Sequence, residues 1–493
     1  MQLEAVIGLE VHAELITQSK MFCACPVVDL TLTKPNRAVC PICAGMPGVL
    51  PVINRRAVEF ALRVALALEC EIAEVSIFAR KNYFYPDLPK GYQISQYEQP
   101  LARNGRLNIR TAQGEQMVHI RRVHLEEDTS RLTHVHLEES AYSLIDLNRA
   151  GIPLLEIVTE PDLHTAESVR AYAMALRSVL RYLGVSSGDM HKGVLRIEPN
   201  VSVRTAGSQE LGTRTEIKNL NSFHALERSV AYEIQRQSEL VRSGQRVLQE
   251  TRGWDEAAGM TVAQRVKEEA DDYRYFPEPD LPPLVVEADW LEEIRAALPE
   301  LPAAKIRRFQ DQYGLSGYEA GILIEEQLVA DYFEAAVQAA PEVPPKAVAN
   351  WIIGDLFGLL NQAGLSIEQT NVAPTELAAL TKMVAQGVIN QTTAKAVLAE
   401  MFVSGESPVA IVEARGLKQI TDESAIARMV KRVLDENPEQ VSAYMAGKET
   451  IDRWLFGQVM RAAGGRADPK VVQRLLKNQL EERGSASSSE RTD

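Results

Sequence analysis

The chain has 493 residues, of which 45% are hydrophobic, and its formal net charge is −14. This length is sufficient for two to four domains with separate apolar cores. A chain this acidic lacks the broad basic surface of a non-specific nucleic-acid binder, although a local basic patch can still bind one structured RNA. Because no apolar run approaches a membrane span and the N-terminus does not resemble a secretory signal, we predict a cytoplasmic protein.

The first predicted strand, residues 3–12, carries polar groups on a single face. Its odd positions are apolar, whereas Gly8, Glu10 and His12 fall together on the other side. Carboxylate oxygen and neutral imidazole nitrogen are both good metal ligands, so this face is half of a candidate metal or nucleotide site. A solvated face with a hydrogen-bonded histidine is the alternative.

Four cysteines follow in two closely spaced pairs, Cys23 with Cys25 and Cys40 with Cys43. Two thiolate pairs in a segment rich in proline and glycine favour a closed tetrahedral zinc site that fixes a loop. Disulfides and a redox pair are the alternatives, and the lack of a secretory signal and of a thioredoxin-like context disfavours both. Cys70, at the end of an apolar helix, is predicted to lie in the core.

Three helices of the first half are predicted from their capping residues, Asn54, Thr165 and Ser222, each of which precedes a stripe of apolar residues at helical spacing. Residues 80–93 combine aromatic, charged and turn-forming residues, which is typical of a binding cleft or of a rigid loop. Residues 124–128 place three consecutive carboxylates beside a histidine, which predicts either a surface turn or a metal site.

The second half is predicted to be helical, because Ala, Leu, Glu and Gln dominate it. We therefore predict an α+β protein, with a mixed, largely antiparallel sheet domain followed by an all-helical domain and a small helical tail. The predicted boundaries are 1–290, 291–405 and 406–484, with residues 485–493 disordered.

The last predicted helix carries three cations, Lys470, Arg474 and Lys477, beside an apolar stripe. Their spacing puts them on adjoining turns, so together they can bind a phosphate backbone without reading bases. A solvated cationic face that favours the helix dipole is the alternative.

Seven segments together resemble the B subunits of the bacterial glutamyl/aspartyl-tRNA amidotransferases, a family whose likeness extends over nearly the whole chain. They are residues 7–12 (IGLEVH), 80–87 (RKNYFYPD), 92–96 (YQISQ), 124–128 (HLEED), 146–149 (DLNR), 215–222 (TEIKNLNS) and 272–279 (DYRYFPEP). The chain departs from the family at 196–200 (RIEPN), where Arg-Cys-Asp-x-Asn is common, so a metal contact by Glu198 stays open.

The resemblance implies a cradle-shaped kinase and amidotransferase domain, a helical domain and a tail that contacts tRNA. It implies a heterotrimer with an amidase subunit and a small stabilising subunit. It also implies the reaction: ATP phosphorylates the side-chain carboxylate of glutamate or aspartate misacylated on tRNA, and ammonia from the amidase displaces the phosphate.

The resemblance also implies roles for individual residues. Glu10, His12 and Glu127 are expected to hold Mg²⁺ and position the phosphates, and Glu126 and Lys81 to complete the catalytic site. Lys81, Tyr83, Arg149 and Arg204 are the expected ATP-binding residues. Because no standard glycine-rich phosphate loop is present, composition alone does not indicate ATP use.

Two other functions fit parts of the sequence. A non-catalytic tRNA-binding adaptor differs from the amidotransferase in that its complex does not hydrolyse ATP when given misacylated tRNA. A zinc hydrolase is disfavoured, because four thiolates close the coordination shell and leave no open position for substrate.

Overall fold

The protein is described by a computed structural model that covers residues 2–136, 141–266, 273–420, 422–448 and 450–489. The chain divides into two compact units, Met1–Ala304 and Lys305–Asp493. Among the described residues, no helix combines the length and the apolarity needed to cross a bilayer. Asp272, the first residue of one family-like segment, lies outside the described residues.

The first unit is built mainly from strands. They are β1 (Leu3–Glu14), β2 (Glu71–Ile72), β3 (Val75–Ser76), β4 (Ala79–Asn82), β5 (Tyr92–Ser95), β6 (Ala102–Thr111), β7 (Gly114–Glu127), β8 (Arg131–His136), β9 (Ala141–Asp146), β10 (Pro153–Thr159), β11 (Leu195–Thr205), β12 (Thr215–Lys218), β13 (Glu250–Asp255), β14 (Met260–Val266), β15 (Phe276–Pro277) and β16 (Leu284–Val285).

Nine of these strands form one sheet in the order β14-β13-β12-β11-β1-β10-β7-β6-β2. Neighbouring strands are antiparallel except for β12 and β13, which are parallel. Smaller sheets join β15, β4 and β5, then β16 and β3, then β8 and β9. The prediction of a mixed, largely antiparallel sheet is confirmed.

β1 lies at the centre of the large sheet and alternates as its sequence predicts. Ile7, Leu9 and Val11 are buried in the apolar core, whereas Glu10 and His12 lie on the opposite face and are half-buried. A central strand with one polar face places those two side chains where neighbouring strands on both sides can add further groups.

Among the described residues, four α-helices lie wholly within the first unit: α1 (Arg55–Ala67), α2 (Ala166–Tyr182), α3 (Phe223–Arg242) and α4 (Ala288–Ala296). Asn54, Thr165 and Ser222 cap the first three through side-chain oxygens that accept backbone N–H groups, so these helix starts are confirmed. The helices share one core with the apolar side of the sheet. The polar side of the sheet therefore remains available for a site.

The second unit is helical. Its helices are α5 (Pro302–Tyr313), which begins before the unit boundary, α6 (Gly317–Ile324), α7 (Gln327–Ala339), α8 (Pro345–Asn350), α9 (Phe357–Ala363), α10 (Pro374–Ala385), α11 (Gln391–Ser404), α12 (Pro408–Ala414), α13 (Glu423–Glu436), α14 (Pro438–Met445), α15 (Ile451–Ala462) and α16 (Pro469–Ser489), with a π-helical segment at Trp351–Leu356 and a 3₁₀ turn at Ile367–Gln369.

The helical unit contains two separate apolar cores. One extends from Phe309 to Val412 and the other from Ile426 to Leu480. The predicted fold class, a sheet domain followed by helices, is confirmed, while the finer domain boundaries stay a prediction. Helix α16 continues to Ser489, and the remainder of the segment predicted to be disordered lies outside the described residues.

Candidate functional site

A cleft of about 770 Å³ opens on the polar face of the large sheet. Most of the residues predicted for the catalytic and nucleotide sites line it, namely Glu10, His12, Lys81, Tyr83, Glu126 and Arg149. They come from separate parts of the first unit, and the sheet brings them to one surface. The lining is strongly charged, which suits an ionic ligand rather than an apolar one.

One group of charged residues in the cleft follows directly from strand register. His12 on β1 lies opposite Glu156 on β10, which lies opposite His124 on β7. The Nε2 atom of His12 is 3.4 Å from Glu156 Oε2 and 3.6 Å from Glu126 Oε1, and His124 Nε2 is 2.9 Å from Glu156 Oε2. Ligand atoms of His12, Glu126 and Glu156 all lie within 4.8 Å of one another, which can accommodate a metal ion.

These groups alter each other's protonation. Burial alone would lower the pKa of His12, but the hydrogen bond and charge of Glu156 and the charge of Glu126 raise it to about 9. Burial and the neighbouring Glu156 raise the pKa of Glu126, whereas His124 and His12 outweigh burial and hold the pKa of Glu156 well below its ordinary value. The polar residues of 124–128 are at most 5% exposed, so the surface-turn interpretation of that segment is wrong.

A second acidic cluster lies on the neighbouring strands. Glu10 faces Glu198 across β1 and β11, and carboxylate oxygens of Glu10, Glu198 and Glu216 lie within 4.8 Å of one another. Lys218 Nζ is 2.7 Å from Glu198 Oε2. Burial would lower the pKa of Lys218, but the charges of Glu198 and Glu216 raise it. Asn200 donates to Glu10 at 3.3 Å, and its buried Oδ1 has no hydrogen-bond partner among the described residues.

Cationic and aromatic side chains form the walls of the cleft. Lys81 Nζ lies 5.0 Å from the ring centre of Tyr273, and Tyr83 packs edge-on against the same ring. Burial would lower the pKa of Lys81, but nearby Tyr275 and the carboxylates Glu126 and Glu156 raise it. Lys81 is therefore a charged ammonium beside the acidic groups.

Arg149 reaches the cleft from the turn that precedes β10. Its guanidinium donates to the backbone oxygens of Thr129 and Ser130, each at 2.9 Å. Arg196 donates to Asp128 at 2.8 Å, and this pairing holds the pKa of Asp128 well below its ordinary range although the carboxylate is buried. Both arginines are therefore fixed in place, with their charges facing the cavity.

The structure does not bring two of the predicted residues into the cleft. Glu127 follows Glu126 on the strand β7 and so points to the opposite face, where it accepts the backbone N–H of Ile94 at 3.0 Å and pairs with Lys90. Arg204 pairs with Glu4 at 2.6 Å near the start of β1 and does not line the cavity.

The sequence analysis missed Glu156 as a site residue. It is the one ionisable residue of β10, whose other side chains are apolar except for Thr159. A single carboxylate in a buried apolar strand is unfavourable without a charged partner. That pattern could have marked Glu156 as a candidate site residue. Its partners could not be identified in the same way, because they depend on strand register.

The four cysteines converge in the first unit, and all are free thiols. Their Sγ atoms lie within 4.8 Å of one another, with Cys43 at 4.0 Å from Cys25 and 3.9 Å from Cys40. Zinc bound tetrahedrally by thiolates places sulfurs about 3.8 Å apart, so the cluster fits the ion. A hydrogen bond from Cys23 and the backbone N–H of Cys40 lower the pKa of Cys43 to about 4. Cys70 is buried, as predicted.

The three predicted tRNA-binding cations, Lys470, Arg474 and Lys477, are exposed on α16. Arg474 pairs with Glu423 of α13, and Lys477 lies 3.9 Å from Glu481. The apolar side of the same helix, which includes Val472, Leu476 and Leu480, is buried in the second core of the helical unit.

The protein is thus of the α+β class, with a charged cleft on the polar face of its large sheet that contains two acidic clusters and several fixed cations. Comparison with known proteins gives the particular family. Residues 5–292 match the family described as "GatB/GatE catalytic domain", and residues 331–480 match the one described as "GatB domain".

Curated relatives are similar over the full chain. The B subunit of the aspartyl/glutamyl-tRNA(Asn/Gln) amidotransferase of Thermomicrobium roseum is 52% identical, over 98% of this chain and 99% of that protein. The proteins of the same name from Moorella thermoacetica and Thermodesulfovibrio yellowstonii are 52% and 49% identical, over 97% and 98% of this chain and 100% of each relative. The chain therefore belongs to the family of amidotransferase B subunits, as its motifs predict.

Proposed function

We propose that this chain phosphorylates and then amidates the side-chain carboxylate of glutamate or aspartate misacylated on tRNA. The products are Gln-tRNA(Gln) from Glu-tRNA(Gln) and Asn-tRNA(Asn) from Asp-tRNA(Asn). As a member of its family the chain is a component of a ligase of protein synthesis. The observation that carries the proposal is the convergence of two acidic clusters with Lys81 and Arg149 in one cleft.

The two clusters fit divalent cations. We assign one Mg²⁺ to His12, Glu126 and Glu156, where binding displaces the proton that the raised pKa of His12 favours. We assign a second to Glu10, Glu198 and Glu216, because each set offers three ligand atoms within 4.8 Å. This assignment keeps Glu10 and His12 from the predicted ligands and replaces Glu127, whose carboxylate faces away. When bound, such ions supply charge neutralisation to the phosphates of ATP.

The chain's own cations and rings account for the rest of the chemistry. Lys81 and Arg149 carry fixed positive charge into the cavity, where they orient the phosphates and the substrate carboxylate. Tyr83 and Tyr273 border the same space and restrict water. In the first step an oxygen of the substrate's side-chain carboxylate attacks the γ-phosphorus of ATP, and ADP leaves. In the second step ammonia attacks the side-chain carbonyl carbon of the resulting acyl phosphate, phosphate leaves, and the nitrogen gives up a proton. Arg204 has no place in this proposed nucleotide site.

The names of the relatives and the proposed reaction together suggest the partners and the cellular location of this chain. The relatives are named as the B subunit of an amidotransferase, which implies a multi-subunit complex. We propose an amidase subunit that releases ammonia and a small stabilising subunit, in a heterotrimer that acts on cytoplasmic tRNA. Structural Zn²⁺ at Cys23, Cys25, Cys40 and Cys43 fixes a loop of the sheet unit, and Lys470, Arg474 and Lys477 contact the tRNA body.

Reconstitution tests this function directly. The complex is supplied with ATP, Mg²⁺ and glutamine and with either Glu-tRNA(Gln) or Asp-tRNA(Asn), and the amino acid on each tRNA is analysed. Amidated product formed only with ATP is the expected result, and uncharged tRNA is the control. A complex that binds both tRNAs yet consumes no ATP and forms no amide would instead be the non-catalytic adaptor.

A further inference from the structure

Lys20 is a completely buried lysine next to the four-cysteine cluster, with 0% of its surface exposed. Lysine is almost never buried to this extent unless its ammonium is paired. Its Nζ donates to the backbone oxygens of Ala38 at 2.7 Å and Leu147 at 3.1 Å, and it lies 3.6 Å from Cys43 Sγ. All three ammonium protons therefore have an acceptor, one of which is a predicted zinc ligand.

The three acceptors belong to two segments that are far apart in sequence. Ala38 and Cys43 belong to the segment from Cys23 to Cys43, which we call the cysteine loop, whereas Leu147 begins the turn at residues 147–152. The Oδ1 atom of Asn148 accepts the backbone N–H groups of Arg37 and Ala38, both at 2.8 Å, which joins the same two segments again.

The backbone of the turn also packs closely against Lys20 and the cysteine loop. Met21 N donates to Gly151 O at 2.7 Å. Gly151 has a φ of +83°, and a Cβ added there would lie 3.5 Å from both Cys43 Cβ and Lys20 Cδ. The added Cβ would make only ordinary van der Waals contacts, so it is the positive φ that favours glycine at this position.

The turn that Lys20 holds carries a residue of the cleft. Arg149 lies two positions after Leu147, donates to the backbone oxygens of Thr129 and Ser130, and lies 3.8 Å from Asp128. A continuous set of contacts thus runs from Cys43 through Lys20 and Leu147 to the guanidinium in the cavity.

Charge explains why a lysine occupies this position. Four thiolates around one Zn²⁺ leave a net charge of about −2, and Cys43, the ligand next to Lys20, is the buried one of the four. A buried ammonium next to one sulfur offsets part of that charge, while the metal-bound sulfur provides the counter-charge that the ammonium needs. Among the described residues, Lys20 makes no ion pair with a carboxylate, so Cys43 is its ionisable partner.

We propose that Lys20 couples metal occupancy of the four-cysteine cluster to the position of the turn that carries Arg149. The proposal rests on the proposed zinc site and makes Lys20 a positioning residue for the cleft. With zinc bound, Cys43 is fixed and holds the ammonium, which in turn holds the oxygen of Leu147. Loss of zinc releases the cysteine loop. The turn then loses both the hydrogen bond from Lys20 to Leu147 O and the hydrogen bonds from the loop backbone to Asn148.

Hydrogen–deuterium exchange on the reconstituted complex tests this coupling. Peptides covering residues 147–152 are followed with zinc bound and after chelation, in the wild type and in Lys20→Met. Lys34→Met is the matched control, because Lys34 lies in the same loop with an exposed side chain. In the wild type and in Lys34→Met we expect zinc removal to speed exchange of the amides of Asn148 and Gly151 by about tenfold.

In Lys20→Met the same amides are expected to exchange fast with or without zinc, so the metal dependence disappears. An unchanged exchange rate in the wild type after chelation would overturn the coupling, and so would a wild-type metal dependence in Lys20→Met. If Lys20→Met does not fold, Lys20→Gln replaces it, because its amide keeps a donor for Leu147 O but carries no charge for Cys43, and the same loss of metal dependence is expected. A wild-type complex that contains no zinc overturns the zinc site and the coupling together, and its tRNA amidation then shows whether the proposed function still holds.

Discussion

The cleft of the sheet unit and the last helix both carry several charges at regular spacing, yet their surroundings are opposite. His12, Glu126 and Glu156 come from three strands, are largely shielded from water and shift each other's pKa. Lys470 and Lys477 share one helix and are exposed, with only surface contacts. In both places the charges share one face, but only in the cleft do they converge from several elements with burial, and this convergence is what couples their protonation.

Substitutions of the buried charges in the cleft should cause the largest losses of amidation activity. Glu156→Gln removes the carboxylate between His12 and His124, and one preorganised charge of this kind contributes about 10²–10³-fold to a rate. We therefore expect ATP-dependent amidation to fall by about that factor, while glutamine hydrolysis by the amidase continues. Glu71→Gln, an exposed change at the sheet edge, is the control. Amidation at the wild-type rate by Glu156→Gln would remove this cluster from the chemistry.

Two adjacent glutamates on β7 allow a cleft residue and a residue outside the cleft to be compared on one strand. Glu126 faces the acidic cluster and Glu127 faces Lys90. We expect Glu126→Gln to lower ATP consumption with misacylated tRNA by about 100-fold and Glu127→Gln by less than about tenfold. Because Glu127→Gln leaves the half-buried ammonium of Lys90 without its carboxylate partner, the double variant with Lys90→Met is the control for folding. Equal losses in the two single variants would restore Glu127 as a ligand of the phosphorylation site.

The four-cysteine cluster should respond differently, because the zinc proposed there would be structural. Cys40→Ser is expected to reduce zinc from about one ion per chain to a small fraction and to loosen the loop before it affects catalysis. Metal analysis and thiol titration measure both effects, and Cys70→Ala, a change at the buried cysteine outside the cluster, is the control. Wild-type protein without zinc and with all four thiols freely titratable would contradict the site.

The last helix should affect affinity rather than chemistry. Reversing Lys470 and Lys477 to Glu is expected to raise the KM for tRNA several-fold and to reduce the slope of binding against salt by about 1–2, because fewer phosphate contacts release fewer counterions. Truncation before Asp422 should act in the same direction, with little loss of glutamine hydrolysis. Reversal of Lys346 and Lys395, exposed on α8 and α11, is the matched control. An unchanged KM and salt slope would make these cations a solvated face.

The smallest expected effect compares a shielded and an exposed carboxylate of the helical unit. Burial would raise the pKa of Glu334, but Arg308 outweighs it and lowers that pKa below its ordinary value of 4.5. This pairing stabilises the fold above pH 4.5 and is lost as pH falls through the lowered pKa. Glu334→Gln should therefore lower the free energy of unfolding by about 1 kcal/mol at pH 7 and by less in acid.

Glu423 provides the exposed counterpart, because it pairs with Arg474 on the surface. Glu423→Gln should change the free energy of unfolding by less than about 0.5 kcal/mol at any pH. Chemical denaturation of both variants between pH 3 and pH 7 measures the difference. Equal effects would show that burial does not separate these two pairs.

Local patterns in the sequence predicted much of this structure. The alternation of β1, the caps at Asn54, Thr165 and Ser222, and the cysteine pairs each depend on residues close in sequence, and the structure has them as expected. The opposite directions of the Glu126 and Glu127 side chains could also have been predicted from the alternation of side chains along β7 alone. The pairing of His12 with Glu156 and of Lys20 with Leu147 depends instead on register between distant segments, which no local spacing specifies.

The proposed phosphorylation of the tRNA-bound carboxylate in the acidic cleft can be isolated from the amidation that follows it. The complex is incubated with ATP labelled at the γ-phosphate and with misacylated tRNA, but without glutamine or ammonia, and ADP and phosphorylated aminoacyl-tRNA are measured. The wild type should form both products, and the Glu156→Gln complex should form them about 10²–10³-fold more slowly while it still hydrolyses glutamine when supplied. Formation of the phosphorylated intermediate by Glu156→Gln at the wild-type rate would contradict this proposal.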